Sequence, residues 1–132
     1  IIGAIDRALE RTREYTHQRE AFGGPLAASD FVAYKLAELA AEADLLRHHN
    51  YACAAAHMAG ADTTRFATIG KYKAGKLSRQ VADWCLQFHG GSGYMEETWT
   101  SRFYRDTRLN AIGGGADEVM LSILARIDGY KA

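Results

Sequence analysis

The chain has 132 residues, 48% hydrophobic and 24% charged, which is enough for one globular domain and excludes a disordered protein. Sixteen Lys and Arg balance sixteen Asp and Glu, which removes the general electrostatic case for a nucleic-acid or membrane-surface protein. No apolar run approaches the roughly 18 residues of a membrane span, no signal-peptide pattern opens the chain, and Cys53 and Cys85 lack CxxC spacing, so a cytoplasmic protein is expected.

In chain order, Ile1, Ile5, Ala8, Thr12 and Tyr15 recur at three- and four-residue steps and predict an amphipathic helix ending near His17. Gly23-Gly24 and the single proline, Pro25, interrupt it. Ser29 or Asp30 then caps a second helix reaching about Met58, with Val32, Leu36, Leu39, Ala43 and Leu46 in register. Beyond Gly60, Asp62-Thr63-Thr64 caps a third, whose stripe reads Phe66, Ile69, Lys73, Leu77, Val81, Trp84 and Phe88. The lysine fits that stripe only as a snorkelling stem. A short helix over Thr98 to Arg108 and a last one from Ala116 to about Ile127, using Val119, Ile123 and Ile127, complete the set. Period-two alternation is absent, so strands are not predicted. Two helices of roughly 28 residues, each about 40 Å long, with short connections predict an all-α antiparallel four-helix up-and-down bundle with short extra helices. The opening Ile1-Ile2-Gly3-Ala4 lies already inside an apolar pattern, so residues 1–132 read as one domain of a longer protein.

Most candidate chemistry has a plainer reading. Di-metal helical sites need two Glu-x-x-His motifs, and Glu14-Tyr15-Thr16-His17 is the one match, so no metal is expected. The two cysteines read as small core residues. Arg65, Lys71, Lys73, Lys76 and Arg79 are spread around their helix and read as solvated or ion-paired. Arg102, Arg105 and Arg108 share a face, with Glu96, Glu97 and Asp106 near enough in sequence to neutralise them. Gln87-Phe88-His89-Gly90-Gly91-Ser92-Gly93-Tyr94 runs a long helix into adjacent glycines. Such bare backbone suits either the close approach of a planar or phosphorylated ligand or a simple helix stop.

Four segments taken together are more specific: Gln18-Arg19-Glu20-Ala21-Phe22-Gly23, Gln87 to Tyr94, Tyr104-Arg105-Asp106-Thr107-Arg108, and Ile112-Gly113-Gly114-Gly115-Ala116-Asp117-Glu118-Val119. In order and spacing, over the whole chain, they resemble the C-terminal helical domain of the acyl-CoA dehydrogenase family. The resemblance implies an FAD-dependent oxidoreductase of fatty acid metabolism, a homotetramer converting acyl-CoA thioesters to 2-enoyl-CoA and passing electrons to an acceptor flavoprotein. Its N-terminal helical and middle β-domains would lie outside this chain. It implies that Arg19 and Phe22 meet the FAD diphosphate and adenosine, where a guanidinium offers a fork of donors. Gln87, His89, Gly90 and Gly91 would face a flavin held mainly by a neighbouring subunit. Ala116 and Glu118 also fall among the implied cofactor contacts. Asp30 stands where the family usually has Gln near the adenine; an acid cannot donate there, and Ser29 is the substitute.

The resemblance also places Gly113 and Gly114 at the acyl chain, where many members carry Tyr and a glutamate base. Gly114 cannot abstract a proton, so no catalytic residue is expected within the chain. The long-chain and isovaleryl branches carry their base on the first helix of this domain, at a position several residues before Ile1. The Gly114 backbone N–H remains as a donor to the thioester carbonyl. The competing reading is a non-catalytic helical domain that completes a flavin site and an oligomer interface for another chain. An upstream β-domain followed by a glutamate would favour the enzyme.

Overall fold

The computed structural model describes residues 1–131. Helices α1 (Ile2–Gln18), α2 (Asp30–Met58), α3 (Thr64–Tyr94), α4 (Trp99–Arg108) and α5 (Asp117–Ile127) account for most of it, so the all-α expectation holds. Between α1 and α2 a minimal antiparallel pair, β1 (Glu20–Ala21) and β2 (Gly24–Pro25), sets Ala21 opposite Gly24. This pair was not predicted. Two residues a side are too few to leave an alternating pattern. The two-residue turn is nevertheless typical of hairpins, because Phe22 and Gly23 both take positive φ, 56° and 89°.

α3 is the hub, packing against α1, α2, α4 and α5, while α1 also packs on α2. Ile5 and Ala8 of α1, Leu39, Ala43 and Leu46 of α2, and Ala74, Leu77, Val81 and Cys85 of α3 make one apolar cluster. Fully burying a side chain such as Ile5 or Val81 contributes about 1.5–3 kcal/mol. The Cys85 thiol donates weakly to Ala8 O at 3.8 Å, and burial pushes its pKa up to about 11, so it is a core residue and not a nucleophile.

The predicted stripes of α1 and α2 are largely the buried ones, but those of α3 and α5 differ. Because α3 is enclosed on several sides, its buried positions include Ser78, Ala82 and His89, whereas Phe66 and Lys73 are exposed. On α5 the buried residues are Asp117 and Met120, while Val119 and Ile127 stay about half exposed. An ion pair between Asp117 and Arg79 on α3, at 2.8 Å, sets that rotation. At the start of α3 Thr63 is the N-cap without a side-chain bond, and the residue before it, Asp62, accepts through Oδ1 from Thr64 N–H at 2.9 Å and from its hydroxyl at 2.7 Å.

Near its C-terminal end α3 does not stop at the glycines. Gly90 turns the backbone to φ 59°, ψ −146°, and helical geometry then resumes to Tyr94. The returning turn packs so tightly that a Cβ on Gly93 would lie 2.6 Å from Leu86 O and 2.7 Å from His89 Cβ. Thr100 then donates to Gly93 O at 2.9 Å and fixes α4. Gly93→Ala should therefore destabilise the fold by about 1–3 kcal/mol through overpacking, read as a lower midpoint in urea unfolding.

Candidate functional site

The kink at Gly90 makes a shoulder whose inner side is tied down and whose outer side is bare. Inside, His89 is buried, its ring stacked on Tyr15 at 4.0 Å and edge-on to Trp99 at 5.4 Å. Its Nδ1–H donates to Cys85 O at 2.7 Å, and Arg11 lies over the Trp99 ring at 4.5 Å. Burial holds the His89 pKa below its ordinary value and Arg11 adds to that, while the Cys85 carbonyl acts the other way. Outside, Gln87, Gly90 and Gly91 are exposed, and a Cβ on either glycine would meet no atom within 4 Å. The shoulder is thus an open ledge of backbone. His89, expected among the cofactor contacts, turns its ring into the core instead, because an i−4 carbonyl and two aromatic rings hold it there. A shallow cavity of about 440 Å³, lined by residues that include Glu14, Gln18, His89 and Ser92, lies beside it.

The hairpin after α1 is at the same end of the molecule. Phe31, in the first turn of α2, packs edge-on against Trp84 at 5.6 Å and Phe88 at 6.3 Å, which brings Ser29 and Asp30 beside the ledge. Ser29 caps α2 by position alone, with no side-chain bond. Arg19 is exposed and has no ion-pair partner among the described residues. Phe22, at the hairpin tip, is wholly exposed in the left-handed region, which costs a bulky residue on the order of 1 kcal/mol.

The remaining candidates lie elsewhere. Gly113, Gly114 and Ala116 belong to the segment joining α4 to α5 and Glu118 to the first turn of α5; Lys71 docks the segment on α3, and Arg79 docks the start of α5. Gly113 N–H donates to Leu109 O at 2.8 Å, whereas Gly114 N–H has no acceptor among the described residues. Ala116 is the N-cap of α5, and Asp117 and Glu118 put acid in its first turn, where the helix dipole favours it. Along α3, Lys71 and Gly90 are about 28 Å apart at ~1.5 Å per residue. One subunit therefore does not gather both sets of candidates around one small ligand.

Sequence reasoning missed Tyr15, which buttresses the ledge, and Lys71, which reaches the Gly-rich turn; neither contact has a local spacing signal. The basic stretch is mostly satisfied as expected, with Arg65 forked onto Asp128 at 2.7 and 3.1 Å and Arg79 on Asp117. Arg102, Arg105 and Arg108 do not find the expected acids and make no ion pair among the described residues. Phe88 is buried, and Trp84, Trp99 and Phe103 pack against the chain's own core. Among the described residues no group of His, Cys, Asp or Glu could hold a metal ion, and no helix is long and apolar enough to cross a membrane.

The acyl-CoA dehydrogenase C-terminal domain profile matches residues 1–127, and the chain belongs to that family. It is 38% identical over 125 residues to the rat mitochondrial long-chain specific acyl-CoA dehydrogenase, covering 95% of this chain and 29% of that protein. An acyl-CoA dehydrogenase structure from Geobacillus kaustophilus superposes with a TM-score of 0.92 at 35% identity, over 96% of this chain and 33% of that one. The butyryl-CoA dehydrogenase of Megasphaera elsdenii gives 0.91 at 31% identity, over 96% and 33%. The chain thus spans about a third of the length of its relatives.

The inward His89 has a consequence in solution. The unfolded chain binds a proton near the ordinary histidine value of about 6.5, which buried His89 resists. Stability should therefore be full above that value and fall as pH drops through it. His89→Phe, which keeps a ring between Tyr15 and Trp99, should weaken this acid sensitivity; melting temperatures of both proteins between about pH 7.5 and 5 measure it.

Proposed function

We propose that the chain is the C-terminal domain of an FAD-dependent acyl-CoA dehydrogenase of fatty acid metabolism, completing both the flavin site and the acyl site of a homotetramer. The observation that carries this reading is the Gly90–Gly91 ledge with Arg19 and Phe22 at the same end. The ledge fits the cofactor: no side chain stands above it, and the free guanidinium beside it is a natural diphosphate partner. Arg19, Phe22 and Ser29 would hold the nucleotide end, and Gln87, Gly90 and Gly91 would lie against the flavin. His89 contributes by bracing the ledge from within. FAD, when bound, supplies the acceptor for the substrate's β-hydride. The separation of the ledge from Gly113–Glu118 along α3 favours a shared arrangement, each ledge serving a flavin bound mainly by a neighbouring subunit, with Ala116 and Glu118 approaching a cofactor from the other end.

At the acyl site the chain offers backbone. Removing the α-proton of a thioester puts negative charge on the carbonyl oxygen, and a fixed donor at that point lowers the barrier. The Gly114 N–H, which has no acceptor among the described residues, is suited to that role. Neither Gly113 nor Gly114 can take the proton; the family resemblance would put the base on a glutamate preceding Ile1. The reduced protein would pass its electrons to an acceptor flavoprotein. Free Cys53 and Cys85 agree with a cytoplasmic setting. The competing non-catalytic reading draws on the missing acid at Gly113–Gly114, and it predicts a full-length protein that binds FAD without turnover.

The isolated 132-residue chain should neither retain FAD nor turn over an acyl-CoA with an artificial electron acceptor; copurifying flavin at one per chain overturns this. In the full-length enzyme, Arg19→Ala should weaken FAD retention by about 1.5–3 kcal/mol while leaving the apo-protein's melting temperature unchanged, because the arginine has no partner to lose within the fold. A Cβ on Gly113 would make only ordinary contacts with Leu109, at 3.5–3.6 Å, so Gly113→Tyr is tolerated by the backbone. It should narrow the acyl site and lower kcat/KM selectively for branched acyl-CoAs; equal falls for straight and branched substrates contradict an open wall at that point.

A further inference from the structure

Lys71, Gly75 and Arg79 follow one another at four-residue steps and form a single stripe on α3. Each meets the segment between α4 and α5. Lys71 Nζ donates to Asn110 O at 2.7 Å and to Gly115 O at 2.8 Å, so one ammonium bridges the two ends of the turn that contains Gly113 and Gly114. The Lys71 Cε lies 3.8 Å from where a Cβ on Gly114 would stand. At Gly75 a Cβ would be 2.8 Å from Asp117 Oδ1 and 3.2 Å from both Ala111 Cα and Asn110 O, so the segment comes this close only over a glycine. Arg79 holds the far end through Asp117, which is 8% exposed.

This investment of α3 surface has a physical purpose. Gly113-Gly114-Gly115 has no side chain to anchor it, and Gly114 and Gly115 hold φ of 66° and 112°. Left alone, such a run samples many conformations. A donor for developing charge is effective only if it is already in position.

We propose that Lys71 is a positioning residue for the reaction, its ammonium fixing the Gly113–Gly114 turn through the Asn110 and Gly115 carbonyls so that the Gly114 N–H is held ready for the thioester oxygen. The proposal rests on the acyl-CoA dehydrogenase reading of that turn. Lysine suits the role because an ammonium carries several donors and no acceptor, and its flexible stem reaches across from a neighbouring helix. Bonds from a charged donor to the two carbonyls are about twice as strong as neutral ones. Lys71 itself touches neither substrate nor cofactor; it acts through the turn.

The test compares Lys71→Met and Lys71→Arg with the wild type in the full-length enzyme. Hydrogen exchange by mass spectrometry over residues 109–116, without substrate, reads the turn directly. Steady-state kinetics with a straight-chain acyl-CoA read the chemistry. Lys71→Met should accelerate exchange in that segment about tenfold while α1 and α2 are unchanged, and should lower kcat about 10²-fold with KM altered less than threefold and FAD content preserved. Lys71→Arg, which keeps a cation with several donors, should restore most of both. Should Lys71→Met fail to fold, Lys71→Gln takes its place, with the same signs and smaller amplitudes. Faster exchange with unchanged kcat overturns the positioning role, and unchanged exchange overturns the clamp itself. A wild-type enzyme that oxidises no acyl-CoA overturns the functional reading instead, and the exchange measurement then decides the clamp alone.

Discussion

The placement of α3 against all four other helices is the constraint on which the rest depends. A helix enclosed on several sides must carry small or neutral side chains where neighbours come close, and Ala74, Gly75, Ser78, Ala82 and Gly93 meet that requirement. Where its polar side chains turn toward the protein they find partners: Lys71 two carbonyls beyond α4, Arg79 the carboxylate of Asp117, and His89 the Cys85 carbonyl one turn back on α3 itself. Both candidate regions are therefore extensions of one rigid rod. The ledge is its C-terminal end, and the Gly-rich turn is cargo fastened to its middle.

Rigidity and bareness serve different needs at the two places. At the ledge, glycine leaves the backbone bare, and the Tyr15–His89–Trp99 packing braces it from within. At the turn, glycine permits a backbone path that other residues resist, and the lysine and arginine of α3 supply the order that glycine lacks. Each functional glycine is thus paired with a polar or aromatic contact that offsets its conformational entropy. The exposed Phe22, unpacked in a costly conformation, has no such internal support and looks outward for its partner.

The division of candidate residues into two groups along α3 bears on assembly. Arg19 and Gln87 lie at one end of α3, whereas Lys71 ties the turn holding Gly114 nearer its other end. That separation is what the proposed sharing of sites between neighbouring copies rests on. On α2, Phe31 and Tyr34 remain largely exposed, while Trp84, Trp99 and Phe103 pack inward.

What the sequence determined by itself was local. Helical periodicity located α1 to α5 within a residue or two, except for the C-terminal end of α3, because apolar spacing and capping residues act over one or two turns. The glycine clusters and the arginine before Phe22-Gly23 stood out by composition, and four motifs in order specified the family. Tertiary structure decided everything that depends on which face meets which neighbour. It turned His89 inward, left Val119, Ile127 and Lys73 outside the core, extended α3 past Gly90, and joined Lys71 to carbonyls 39 and 44 residues away. Such contacts bring together groups far apart in the chain, and their energy depends on a distance that no local pattern of residues encodes.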